Sequence, residues 1–267
     1  MKSAGKAVLI GIGIGLIGVT GMIVWFKRVT IKDWLTPKSN VPAAVSYQDI
    51  TNDEPLNVNT TNTAATEPVT ETNTNEPIVV PAELNLAIPF TSQAPLTNWD
   101  ALHEESCEEA SVLMAARFLQ GRPIESPDDA DNAIVTLVDY NKNELHQAID
   151  TTVAETAKLV EEFYDLNTEV IYDWTWDDVK QALAQGYPVI LPAAGRELGN
   201  PNFTAPGPIY HMLVIKGYTA DQVITNDPGT RRGADYTYSY DTLMSANHDW
   251  DPDNIDNGVK AILIIKP

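Results

Sequence analysis

The chain has 267 residues, long enough for one or two domains, with 17 basic against 37 acidic side chains and a net charge of −20. So acidic a surface repels nucleic acid and anionic lipid, which argues against a DNA- or RNA-binding role. With one cysteine in the sequence, an intramolecular disulfide is excluded.

After a short tail of residues 1–6, residues 7–26 read AVLIGIGIGLIGVTGMIVWF without a charged side chain. Twenty helical residues span about 30 Å, the thickness of a bilayer's hydrocarbon core. A cleaved signal peptide is the closest competitor, but no small-x-small site follows the run. Trp25, Phe26, Lys27 and Arg28 follow it instead, as an interfacial anchor would. The expectation is a single-pass transmembrane helix that uses the lipid bilayer as its partner. Basic residues flank both ends almost equally, so the positive-inside rule alone does not fix the orientation.

Residues 27–83 are expected to be a disordered stalk. From residue 36 they are rich in Thr, Asn, Pro and Glu, and Tyr47 is the one aromatic residue of that block. Such a stretch cannot bury enough apolar surface to offset chain entropy. A stalk behind an anchor favours an extracytoplasmic domain, carried here by residues 84–267.

In that domain, 107–120 reads CEEASVLMAARFLQ with apolar residues at helical spacing and Gly121 at its end. Further helices are expected at 127–139, 147–164 and 175–185, the last capped by Thr175 ahead of Asp177 and Asp178. Strands are expected at 187–193, 210–218, 222–225 and 258–265. Helices followed by strands indicate an α+β domain.

Cys107 opens the first of these helices, where backbone amides favour a thiolate. The adjacent Glu108 and Glu109 oppose this by raising the thiol's pKa, so a base must compensate. His211, inside the strand-like YHMLVIKGY, is the candidate base. Asp227 ends the next strand at NDPG and can orient the ring. The order Cys, His, Asp fits nucleophile, base and orienting group. Gln93, in PFTSQAP, is placed upstream of the cysteine to supply an oxyanion donor. An ordinary buried cysteine, a core histidine, a turn and an exposed loop glutamine are the corresponding structural readings. His103, His146 and His248 lie in polar surroundings typical of surface histidines. No metal ligand set or phosphate loop can be assembled, so neither a metal nor a cofactor is expected.

The stretches IPFTSQAPLTNWDALHEESCEEASVLMA, YHMLVIKGYT and VITNDPG resemble the papain-like domain of bacteriocin-processing-type cysteine peptidases. They are most similar to the bacterial branch that lacks a transporter. The resemblance implies a papain-like α+β fold of a helical part plus an antiparallel sheet. It also implies a peptide or protein substrate, cleaved through a thioester acyl-enzyme. Cys107 is then the nucleophile, His211 the general base, Asp227 its orienter and Gln93 part of the oxyanion hole. The spacing from Gln93 to Cys107 departs from the usual pattern by an inserted loop, PLTNWDALHEES. Two alternatives use the same residues differently: an acyltransferase, and a non-catalytic cell-surface binding module.

Overall fold

The computed structural model describes residues 41–52 and 78–267. The expected membrane helix at 7–26 lies outside the described residues, as does much of the expected stalk. Among the described residues, no helix is long and apolar enough to cross a membrane.

The domain is α+β, as the order of elements suggested. The helices are α1 (Tyr47–Asn52), α2 (Cys107–Leu119), α3 (Pro127–Asn143), α4 (Val153–Tyr164), α5 (Trp176–Ala184) and α6 (Tyr240–Ala246). The strands are β1 (Leu84–Asn85), β2 (Asn167–Tyr172), β3 (Val189–Ala194), β4 (Tyr210–Tyr218), β5 (Gln222–Asn226), β6 (Tyr236–Ser239) and β7 (Ala261–Lys266). They form one seven-stranded sheet in the order β2-β7-β3-β4-β5-β6, with β1 paired to β4. Every strand pair is antiparallel.

Position in the sheet follows from side-chain type. Strand β4 is buried along its whole length, and so is β3. Their central stretches, VIL in β3 and MLVI in β4, are apolar, the composition of strands covered on two faces. Strand β2, NTEVIY, is exposed or half-buried throughout and lies at the sheet's edge. Gly217 lets the Leu84 backbone approach β4, because a Cβ there would collide with the Leu84 carbonyl.

Helix α2 packs on the sheet and is buried everywhere except at Arg117, which pairs with Asp129 of α3 at 3.2 Å. Ala110, Ala115 and Ala116 allow that close packing, and Val112, Leu113 and Met114 fill the core with Leu213 and Ile190. Each fully buried side chain of this size contributes about 1.5–3 kcal/mol. A buried central helix explains why the apolar face of this segment is so broad.

Two expectations need correction. The helix expected at 147–164 begins only at Val153. Thr152 and Glu155 form a capping box there, and this stops the helix short of Asp150 and Thr151. The stretch 41–52, expected within the disordered stalk, is ordered. The Val45 N–H donates to the Asn85 carbonyl at 2.8 Å, and the Tyr47 ring meets Phe118 edge-on at 5.7 Å. Tyr47 and Ile50 provide the apolar surface that the surrounding Thr/Asn/Pro-rich sequence lacks.

Candidate active site

His211 sits near the start of β4, opposite Ala193 of β3, and is 1% exposed. Its Nε2 lies 2.8 Å from Asp227 Oδ1. Asp227 follows the last residue of β5 and is fully buried. A buried carboxylate is tolerated only when its lone pairs are occupied. Here Oδ1 also accepts the Gly229 N–H at 3.0 Å. Oδ2 accepts the Tyr238 hydroxyl at 2.6 Å and Asn200 Nδ2 at 2.9 Å. Burial pushes the Asp227 carboxyl upward, but the charge of His211 and these hydrogen bonds outweigh it and hold its pKa below the usual value. An ionised Asp227 is an acceptor only, so the proton of the pair sits on Nε2 and Nδ1 is left as the basic nitrogen. The ring is held further by Phe203, edge-on at 5.4 Å. Gly229 is required beside it: a Cβ there would meet His211 Cε1 at 2.9 Å.

Asn200 and Tyr238 were not expected from sequence. Tyr238 of β6 hydrogen-bonds Asp227, and Asn200 bonds both of them. We expect Tyr238→Phe to cost about 1.5–3 kcal/mol in urea unfolding, the worth of a hydrogen bond to a charged group.

Cys107 is the first residue of α2 and is 5% exposed. The Met212 N–H, next to His211 in β4, donates to its Sγ at 3.3 Å. The thiol itself donates to Glu108 Oε2 at 3.0 Å rather than to the His211 ring. Burial, then the charge of Glu108 and this hydrogen bond, push the thiol's pKa well above its ordinary value. The helix start therefore does not by itself yield the thiolate expected from sequence. The expected opposition from Glu108 is present and stronger, because Glu108 is buried.

Gln93 is 4% exposed, not the loop glutamine of the structural alternative. Its backbone N–H donates to the Pro228 carbonyl at 2.9 Å, beside Asp227. Its Nε2 donates to the carbonyls of His103 and Glu104, each at 2.9 Å, and its Oε1 has no partner. In this geometry both side-chain N–H groups hold the inserted loop. To serve as an oxyanion donor, Gln93 would release one carbonyl.

His103 also differs from the surface histidine expected. It is buried, with Nδ1 2.8 Å from Asp100 and Nε2 3.1 Å from Asp131 of α3. It pins the inserted loop to the helical layer. His146 is exposed, and His248 is half-buried with Nδ1 3.0 Å from the Gly258 carbonyl. Among the described residues, no group of three or more His, Cys, Asp or Glu side chains is arranged to hold a metal.

Cys107, His211 and Gln93 line one cavity of about 830 Å³. Trp99 and Ile209 supply exposed apolar surface there. Glu104, Glu105 and Asp150 bring negative charge, and Arg231 and Arg232 positive charge. Trp174 and Trp176 are not in this lining. Trp174 bonds Asn247 and packs against Trp176 instead. A buried base-acid pair and a cysteine facing one open cavity can perform nucleophilic acyl chemistry.

The family model described as "Peptidase_C39 like family" matches residues 85–254, well over half of the chain. No curated protein matches. A crystal structure from Bacillus anthracis, of a protein provisionally described as a C39-like peptidase, is 16% identical. The alignment covers 69% of this chain and 98% of that one, with a TM-score of 0.47.

Proposed function

The chain belongs to the Peptidase_C39 like family, and from that premise we propose that it is a cysteine peptidase using Cys107, His211 and Asp227. We place it in the bacteriocin-processing-type branch that works without a transporter. The carrying observation is the buried 2.8 Å pair between His211 Nε2 and Asp227, in the cavity that Cys107 lines.

Asp227 holds the proton on Nε2, so Nδ1 is free to take the thiol proton of Cys107. The resulting thiolate attacks a peptide carbonyl, and the imidazolium protonates the leaving amine. Water then attacks the thioester, with His211 as base. Backbone N–H groups at the start of α2 lack intrahelical partners and suit the developing oxyanion. Gln93 is assigned to the same side, once it gives up a carbonyl of the inserted loop. The apolar run at 7–26 supports a single-pass membrane anchor, with the domain outside the cytoplasm. The substrate is then a peptide or a protein within reach of that anchor.

The test is to incubate the full chain with a mixed peptide library and read products by mass spectrometry. Cleavage at internal bonds, absent with Cys107→Ala, is expected. Amine adducts without free carboxyl products would replace hydrolysis by acyl transfer.

A further inference from the structure

Glu108 is the buried acid that the mechanism above leaves unused. It is 1% exposed and does not line the cavity, yet its Oε2 receives the thiol of Cys107 at 3.0 Å. Its Oε1 receives the Thr151 N–H at 3.2 Å. Thr151 is buried and precedes α4, and its carbonyl accepts the Tyr210 hydroxyl at 2.8 Å. The chain of contacts thus runs from the sulfur through Glu108 and Thr151 to the residue before His211. Two groups therefore compete for the sulfur's surroundings: Glu108 for its proton, and the Met212 N–H for its lone pair.

We propose that Glu108 is a positioning residue that latches the nucleophile. Its carboxyl accepts the Cys107 thiol in a hydrogen bond away from the cavity, so the chain rests with an uncharged thiol. Catalysis begins when the thiol leaves Glu108 and turns to Nδ1 of His211. There the S–H bond breaks and an N–H bond forms, giving thiolate and imidazolium. The sulfur pair then attacks the substrate carbonyl, whose π electrons move to oxygen. The latch rests on the peptidase reading, because His211 is the acceptor to which the thiol is released.

The surroundings of Glu108 favour a proton over a charge. Glu109 lies beside it on α2, with one oxygen held by Asn141 of α3 at 3.3 Å and the other without a partner. Tyr210 of β4 feels the charges of Glu108, Asp249, Cys107 and Asp150. The groups named here are acids, a phenol and a thiol; none is a cation. Burial and the charge of Glu109 raise the Glu108 carboxyl's pKa well above its usual value, and burial raises Glu109 to about 7. A thiolate formed in this nest would add a further negative charge, which the latch avoids by keeping the proton shared.

The test uses the full chain and the rate of alkylation by iodoacetamide across pH, which is specific because the sequence has one cysteine. With Glu108→Gln the side chain keeps its shape, and the oxygen that receives the thiol can be replaced by an amide N–H that donates to the sulfur. The alkylation midpoint should fall by at least about one pH unit, with about tenfold faster reaction at pH 7. An unmoved or raised midpoint overturns the latch. If that variant does not fold, the infrared S–H stretch of the unmodified chain decides. A native band at pH 7, at lower frequency than in the denatured chain, supports the latch. A missing band, or one at the denatured frequency, overturns it. The peptidase reading stands or falls separately, on whether His211→Ala abolishes peptide cleavage.

Discussion

Replacing His211 by alanine is expected to lower kcat/KM for a cleaved peptide by about 10⁴-fold or more, roughly 5 kcal/mol of lost transition-state stabilisation. The size follows from the state of the thiol. Burial and Glu108 already push Cys107 above its ordinary pKa, so the thiolate depends on a base. Without Nδ1, the acceptor left within reach is an acid with a raised pKa of its own. The fold should survive, because Asp227 keeps its bonds from Gly229, Tyr238 and Asn200. A cooperative melt with activity lost is the expected pair of results. Retained turnover would remove His211 from the mechanism.

Asp227→Asn is expected to cost about 10³–10⁴ in kcat, with KM little changed. The amide no longer fixes the proton on Nε2, so the ring can present the wrong tautomer to the sulfur. Stability at pH 7 should fall by about 1.5–3 kcal/mol, the usual worth of a hydrogen bond to a buried charged group. The pH dependence has a definite sign. Burial raises this carboxyl, but the charge of His211 and the hydrogen bonds lower it below the usual value in the folded state. Its contribution to stability is therefore present above the unfolded value of about 3.9 and is lost as pH falls through the lower folded value. Acid unfolding below about pH 4 should show this loss in the unmodified chain. In Asp227→Asn that part of the acid dependence should be gone.

The catalytic candidates were legible because each stands at an element end with its own local signal. Cys107 opens a long apolar-faced helix, His211 interrupts an apolar strand, and Asp227 precedes a turn. What holds Asp227 was not legible. Asn200, between β3 and β4, and Tyr238 of β6 meet it only once these segments are brought together around β5, although the alternating YTYS of β6 hints at one inward Tyr. Glu108 and Glu109 were readable as neighbours of the thiol but not as buried groups, since glutamate is rarely buried. Gln93 lines the cavity. Its hydrogen bonds to the inserted loop depend on how that loop folds back, which the spacing alone does not give.

The α+β class followed from the order of the elements, while β2 and the Tyr47–Asn52 helix did not. The first lacks alternation because it lies half-exposed at an edge. The second is too short to show a period, and its apolar residues sit in a polar tract. Strand pairings such as β2 with β7 join segments far apart in the chain, and no local pattern encodes them.

The most direct test is the intact mass of the full chain, quenched in acid during turnover of a cleaved peptide. The expected result is an acyl adduct on Cys107 matching the N-terminal product, removed by hydroxylamine and absent in Cys107→Ala. Cleavage that persists in Cys107→Ala, or an adduct on another residue, would contradict nucleophilic catalysis by Cys107.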